Sequence, residues 1–537
     1  MKQLIILGAG LMQGPAIRLA KEMGLETVVA DGDPQALNAP LADRFEPIDL
    51  RDKEGIEALA RSLKAGGRLG GIMTAGTDFS ATVAWTAEKL GLPGIPYEAA
   101  LNASDKERMR RCFRAAGVPS PAFLGIVRGD SLPELPFRFP AVVKPVDNMG
   151  GRGCRRVDSP AELEAALPEA LGFSRSGRAI VEEYMEGPEF SVDALIFRGK
   201  ILISGLADRH IYFPPYFIEM GHTMPTAFPQ ADQDALLAAF SAGARSLGLL
   251  GETCFGAAKG DIKLTPRGPM IGEIAARLSG GYMSGWTYPY ASGVEVTRGA
   301  ILAALGEEPP EQGPGSLEAR RDWTSAERAF ISIPGRVRSI HGLEAARERP
   351  LVKDLFLRAG EGSPVCFPEN NVSKCGNLIS AAPGRAVAVA AAEEAVRAVL
   401  FRLVSPDPGT DAFLAASSVF PPGAFSLSPE LRAALTELPD PALPRRPAPG
   451  WDPVIISFPA LSGSDLRDYA GRTVRESLDA VRSLTGLSLP ELAQDAVSDR
   501  PVLGRNFWAA LVRGGYQGAV YSIDRLFGTG RGANENR

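Results

Sequence analysis

The chain has 537 residues, too many for one hydrophobic core, so roughly three or four domains are expected. Its net charge of −5 and pI near 5.6 offer no general attraction for nucleic acid or anionic membranes, so any phosphate binding has to be local. No run approaches the roughly 18 apolar residues of a membrane span. Five scattered cysteines form neither a disulfide framework nor a zinc pattern.

The opening stretch, residues 1–8, carries too short an apolar run for a signal peptide and reads as a first strand, so a cytoplasm-like compartment is expected. Residues 1–103 alternate apolar strands (4–7, 27–30, 71–74) with amphipathic helices (15–23, 53–63, 79–90). That pattern predicts a small doubly wound, Rossmann-like α/β unit. Gly8-Ala9-Gly10 with Gly14 and Asp31 approximates a dinucleotide fingerprint, but its third glycine falls one place late. A tight turn is the favoured reading there. A charged helix over 105–116 begins a second region, 104–305, in which strands become antiparallel-like, with hairpins and glycine-rich loops. A third, 306–403, mixes short strands with a closing helix over 385–403. Residues 404–450 are rich in proline and serine and read as linker or irregular wrapping. The extension 451–537 shows helical periodicity over 464–484 and 507–513 and ends in a polar stretch, 528–537. The fold class is thus multidomain, α/β followed by α+β.

Four segments carry chemistry. Lys106, in Ser104-Asp105-Lys106-Glu107-Arg108, is either a phosphate contact or part of a solvated helix face. The apolar strand 139–143 ends in Lys144 and runs into Asp147-Asn148-Met149-Gly150-Gly151-Arg152-Gly153. Backbone N–H groups of such a loop, with Lys and Arg nearby, suit the β- and γ-phosphates of a nucleotide, although no Walker A pattern follows. Next, Glu182-Glu183-Tyr184-Met185 forms a bend whose backbone could read the amino edge of adenine, while Glu189 could hold ribose hydroxyls. Finally, the turn 265–269 separates two strands, one bearing Asp261 and the other Glu273. Two hard oxygen ligands on one hairpin suit Mg²⁺, which keeps waters and substrate phosphates as its other ligands; an acidic pair on a solvated face is the plainer alternative. No Ser-His-Asp or Cys-His set is evident. Of the three histidines, His210 and His222 lie near the aromatic run 211–217, and His341 lies far along the chain.

Taken in this order, the segments resemble the ATP-grasp superfamily over residues 104 to about 300, with residues 1–103 resembling the domain that precedes it. Residues 325–403, with Ile333-Pro334-Gly335-Arg336-Val337, resemble the C-terminal domain of the L-amino-acid ligase branch. So does Glu273-Ile274-Ala275-Ala276-Arg277-Leu278-Ser279-Gly280-Gly281. The resemblance implies that two subdomains clamp ATP, and that a carboxylate is activated as an acyl phosphate that an amine attacks. It makes Lys106 and Lys144 phosphate contacts and Gly150, Gly151 and Gly153 the lid. Glu182, Glu183 and Met185 would line adenine, Glu189 would hold ribose, and Asp261 and Glu273 would bind Mg²⁺, with Mn²⁺ as an alternative. Arg277 and Lys144 would be catalytic. The expected partners are a small carboxylic acid and an amine, with no nucleic acid and no membrane, and dimers are common among such proteins, so a homodimer is expected. Two departures stand out. Many members carry asparagine where this chain has Ala275, and the first metal ligand is Asp261 rather than glutamate, which leaves one ion or two open. The alternative functions are a bicarbonate-using carboxylase or carbamoyl-phosphate-type enzyme, and a non-catalytic ATP-binding protein.

Overall fold

Four parallel strands, β1 (Gln3–Leu7), β2 (Glu26–Ala30), β3 (Arg44–Glu46) and β4 (Leu69–Thr74), open the chain in the order β3-β2-β1-β4. The buried β1 serves two cores, as a strand covered on both faces must. Leu4 and Ile6 pack with Ile17 and Ala20 of α1 (Gly14–Glu22). Ile5 and Leu7 pack with α2 (Lys53–Ala65) and α3 (Ser80–Leu90). After β1 the turn closes on itself, because Asp31 accepts a hydrogen bond from the Ala9 N–H at 2.7 Å. The structure, a computed structural model, describes residues 1–132, 134–441 and 452–527. Contacts divide it into two units, residues 1–327 with 381–389, and residues 328–380 with 390 onward.

In the first unit α4 (Tyr97–Ser104) and α5 (Lys106–Ala115) lead into two antiparallel sheets. The smaller consists of β5 (Phe123–Val127), β6 (Ala141–Pro145), β7 (Arg155–Val157) and β8 (Arg178–Glu183), in the order β5-β8-β6-β7, with α6 (Pro160–Phe173) packed on it. The larger contains β9 (Glu189–Phe197), β10 (Lys200–Tyr212), β11 (Ile218–Met224), β12 (Phe255–Thr265) and β13 (Gly268–Ala275), in the order β13-β12-β9-β10-β11. The hairpin expected over 260–274 is β12–β13, closed at Thr265 and Gly268.

In the second unit Gly335–His341 pairs with Pro364–Val365 and with Leu400–Leu403, and Val352–Leu357 pairs with Gly376–Ala382. The expected closing helix stops early, at Ala398. Leu400, Phe401 and Leu403 are buried in a strand instead, so tertiary pairing overrides the helical pattern. The proline-rich stretch is also corrected. Its described part, 404–441, contains helices Pro408–Ala415 and Pro429–Glu437, each beginning at a proline. At the first helical position proline has no N–H to miss, so it starts a helix there. Residues 442–450 of that stretch, residue 451 and the polar end 528–537 lie outside the described residues. In the extension, helix Val474–Thr485 begins later than expected. Helix Arg505–Phe527 runs well past residue 513 and kinks at Gly515, where φ is +62°. Its core gathers Ile455, Phe458, Leu478, Val481 and Trp508. Among the described residues no helix is long and apolar enough to cross a membrane.

Candidate active site

The β12–β13 hairpin carries a bulge. Asp261 lies opposite Glu273 and Ile262 opposite Ile271, so Gly272 is the extra residue. A bulge re-aims the side chains beside it, and this one sets the two carboxylates directly across from each other. Helix α5 fixes the bulge from behind: Arg110 Nη2 donates to the Gly272 carbonyl at 2.6 Å, and the Ile274 N–H points to Met109 Sδ at 3.4 Å. The first turn of the same helix delivers Lys106. Its Nζ donates to the Asn148 carbonyl at 2.8 Å and stands 3.5 Å from Glu273 Oε1. Burial works to lower the Lys106 pKa, but Glu273 and Asp78 outweigh it and hold it above the ordinary lysine value.

From the smaller sheet comes Lys144. Ala141, Val143 and Pro145 of β6 are buried, which turns Val142 and Lys144 to the other face. Lys144 Nζ meets Glu182 Oε2 at 2.7 Å, and Arg110 Nε stands 2.8 Å from Glu182 Oε1. A carboxylate 2 % exposed needs cations beside it, and two are there. Burial pushes its pKa up, while Arg110 and Lys144 together bring it below the ordinary range. The loop after β6 contains Gly150, Gly151 and Gly153 at φ +70°, +76° and +66°, left-handed conformations that explain why glycine occupies these positions.

Beyond Glu182 the chain bends at Glu183, Tyr184 and Met185. Arg267 holds Glu183 at 2.8 Å, and Lys263 donates to the Met185 carbonyl at 3.2 Å. Lys263 Nζ also lies 3.6 Å from Glu189, tying the bend to the start of β9. The aromatic run crosses between the two sheets here. Phe217 stacks on Tyr184, and the Arg156 N–H of β7 donates to the Pro215 carbonyl at 2.8 Å.

Sequence reasoning missed the cations of the larger sheet. Arg209 on β10 pairs with Glu189, with Asp261 at 2.9 Å and with Glu219 at 2.7 Å. Lys259 pairs with Asp261. Lys259 could have been read, since it lies two residues before Asp261 and so on the same strand face; Arg209 is 52 residues away and is brought in by strand order. Burial raises the Asp261 pKa, but Arg209 and Lys259 leave it lowered. Glu273 is half-buried, and Lys106, Lys259, Lys144 and Arg277 hold it far below the ordinary glutamate range.

Arg277 is 7 % exposed, and its Nη1 donates to the Leu278 carbonyl at 3.1 Å. The loop after it is anchored by Asp193 on β9, which accepts from Ser279 N at 2.9 Å and Ser279 Oγ at 2.5 Å. Gly281 then passes so close to Glu219 that an added Cβ would stand 2.8 Å from its Oε1. Nearby, the buried His222 Nδ1 is 2.6 Å from Glu327 Oε2, and His210 Nε2 is 2.9 Å from Thr223 Oγ1. His341 belongs to the second unit, beside Ser339.

Asp193 yields a pH test. Burial pushes its pKa up to about 6. A raised acid favours the folded state fully below its unfolded value and loses that contribution as pH rises through the folded value. Asp193→Asn does not titrate, so its stability relative to wild type is expected to improve between pH 4 and 7 by roughly 3 kcal/mol. Urea midpoints of both proteins across that range check it; parallel curves would place the Asp193 pKa near its ordinary value.

Of the two carboxylates in register, Asp261 is taken up by Ser191, Arg209 and Lys259, and Glu273 is the hard oxygen ligand that could hold a metal. Among the described residues no cluster of three or more His, Cys, Asp or Glu forms a protein-only cage. Mg²⁺ suits such a place, since it is commonly held by one or two carboxylates plus phosphates and water.

The fold is that of ATP-grasp proteins. Residues 17–94 match the ATP-grasp N-terminal domain and residues 137–283 the ATP-grasp domain, so the chain belongs to the ATP-grasp superfamily. Residues 329–404 match the L-amino acid ligase C-terminal domain 2. The solved L-amino acid ligase from Bacillus licheniformis superposes with a TM-score of 0.65 at 21% identity, over 75% of this chain and 99% of that one. Phosphoribosylglycinamide synthetase from Anaerococcus prevotii gives 0.59 at 20%, over 75% and 100%. Carnosine synthase 1 from Gallus gallus is 28% identical over 418 residues, 70% of this chain and 44% of its own length. The Homo sapiens protein is 26% identical over 342 residues, 57% and 40%. The chain thus spans less than half the length of these two relatives.

Proposed function

We propose that the chain is an ATP- and Mg²⁺-dependent ligase that activates the carboxylate of an amino acid, or a similar small acid, and joins it to an amine. The observation that carries this reading is the cationic surround of Glu273: Lys106 of α5 stands 3.5 Å away, and Lys144, Lys259 and Arg277 also act on its charge. Attack of a carboxylate on a γ-phosphoryl group brings anions together, so positioning and neutralisation supply most of the catalysis. Lys106 and Lys144 hold phosphate oxygens, Lys144 being fixed by Glu182. Arg277 steadies the transferring phosphoryl group. The amides of the 150–153 loop cover it and exclude water. A metal held at the hairpin by Glu273, when bound, would neutralise charge on the phosphates. Glu183 and Met185, through their backbone, line adenine, and Glu189 faces ribose.

A panel of acids and amines tests the reading through ADP and phosphate release. Release is expected only when a correct acid and a correct amine are both present. Bicarbonate-stimulated release without an amine would indicate a carboxylase or carbamoyl-phosphate-type enzyme instead. Tight ATP binding with no turnover across the panel would indicate a nucleotide sensor. The homodimer belongs to the same reading and is checked by light scattering.

A further inference from the structure

We propose that Lys259 stands in for a second metal ion, so that the catalytic complex holds one divalent cation per ATP, carried by Glu273. The inference rests on the ligase reading and concerns how its phosphates are neutralised.

Strand β12 reads Lys259-Gly260-Asp261-Ile262-Lys263. Alternation puts the three charged side chains on one face. The opposite face is closed: Ile262 is fully buried, and a Cβ on Gly260 would stand 2.6 Å from Phe240. Asp261 is committed to protein donors. Its Oδ1 accepts from Ser191 Oγ at 2.8 Å, and its Oδ2 is shared by Lys259 Nζ and by Arg209 Nη1 at 2.9 Å. A divalent ion on that oxygen would sit beside two positive groups at hydrogen-bond spacing, an arrangement like-charge repulsion opposes. Asp261 therefore aims Lys259.

The cross-strand partner of Lys259 is Ala275. It lies two residues after Glu273, on the same face, where an oxygen-bearing side chain would complete a second ion's ligand set. A methyl group cannot ligate, and its small size leaves space for an ammonium. Glu273 is different from Asp261. Its side chain is 29% exposed against 9% for Asp261, and Lys106 stands 3.5 Å away. Glu273 is thus the carboxylate open to a metal. Lysine suits the stand-in role, being a compact point charge with three donors that can hold Asp261 and a phosphate oxygen together.

Mn²⁺ and a β,γ-imido analogue of ATP serve as probes. Wild type with analogue is expected to bind one Mn²⁺ per chain, with the electron paramagnetic resonance spectrum of an isolated ion. Lys259→Met with Ala275→Asn is expected to take up a second Mn²⁺, with exchange coupling between the two. Lys259→Met alone is expected to weaken Mn²⁺-analogue binding at least tenfold, and Lys259→Arg to recover most of that loss; thermal melts identify any variant that fails to fold. Two coupled Mn²⁺ in wild type would overturn the proposal, as would unchanged analogue binding by Lys259→Met. The panel assay keeps the two claims apart. One Mn²⁺ without amide formation defeats the ligase reading, and two coupled ions with amide formation defeat only the role of Lys259.

Discussion

Replacing Glu273 with glutamine is expected to lower substrate-dependent ADP release by about 10²–10³-fold, the usual loss when one preorganised electrostatic contact to a developing charge is removed. Glutamine keeps the volume of the side chain and so leaves the bulged hairpin intact. What changes is a negative charge 3.5 Å from Lys106 on which Lys259, Lys144 and Arg277 also act. On the proposed reading the metal loses its open carboxylate, and Lys106 loses the counter-charge 3.5 Å away. The apparent Mg²⁺ requirement is therefore expected to rise along with the fall in turnover. A coupled ADP assay at several Mg²⁺ concentrations checks both. Turnover within a few-fold of wild type would remove Glu273 from the metal site.

Glu182→Ala is expected to lower stability by about 3–5 kcal/mol, because it leaves a buried guanidinium and a largely buried ammonium without their shared carboxylate. Arg110 is fully buried, and its Nη2 is already given to the Gly272 carbonyl, so it cannot turn outward without releasing the hairpin. The sign of the pH dependence follows from the lowered pKa of Glu182. Its contribution is present above the unfolded carboxyl value and is lost as pH falls through the folded one. The gap between wild type and variant should hold from pH 7 down to about 5 and close below roughly pH 4. Changing Arg110, Lys144 and Glu182 together to methionine should recover most of the stability while abolishing turnover, since a well-packed apolar replacement relieves the desolvation cost. Urea denaturation measures each step. A loss under about 1 kcal/mol for Glu182→Ala would show that the ion pairs are not coupled to folding.

How much of this was legible depended on whether the partners were local. The hairpin could be read because β12 and β13 alternate around a two-residue turn, and Lys144 because it ends an apolar strand ahead of three glycines. Lys106 could be named but not oriented, since its neighbour Glu273 lies 167 residues onward. Arg110 looked like one more charge on a polar helix, and only the packing of α5 across the bulge puts it against Glu182. The role expected of Glu182 came from the family resemblance, whereas its burial between two cations is set by tertiary contacts. In the second unit, Leu400–Leu403 continues a helical pattern yet pairs as a strand with Val337–His341, a long-range pairing that local periodicity does not reveal.

The most direct test follows the oxygen. With both carboxylate oxygens of the acid substrate labelled with ¹⁸O, attack on the γ-phosphoryl group forms an acyl phosphate through one labelled oxygen, and attack by the amine releases phosphate carrying it. The expected result is one ¹⁸O in each inorganic phosphate released, one ¹⁸O kept in the amide, and ADP as the nucleotide product. Phosphate without label, or AMP with pyrophosphate, would contradict activation of the carboxylate by the γ-phosphoryl group.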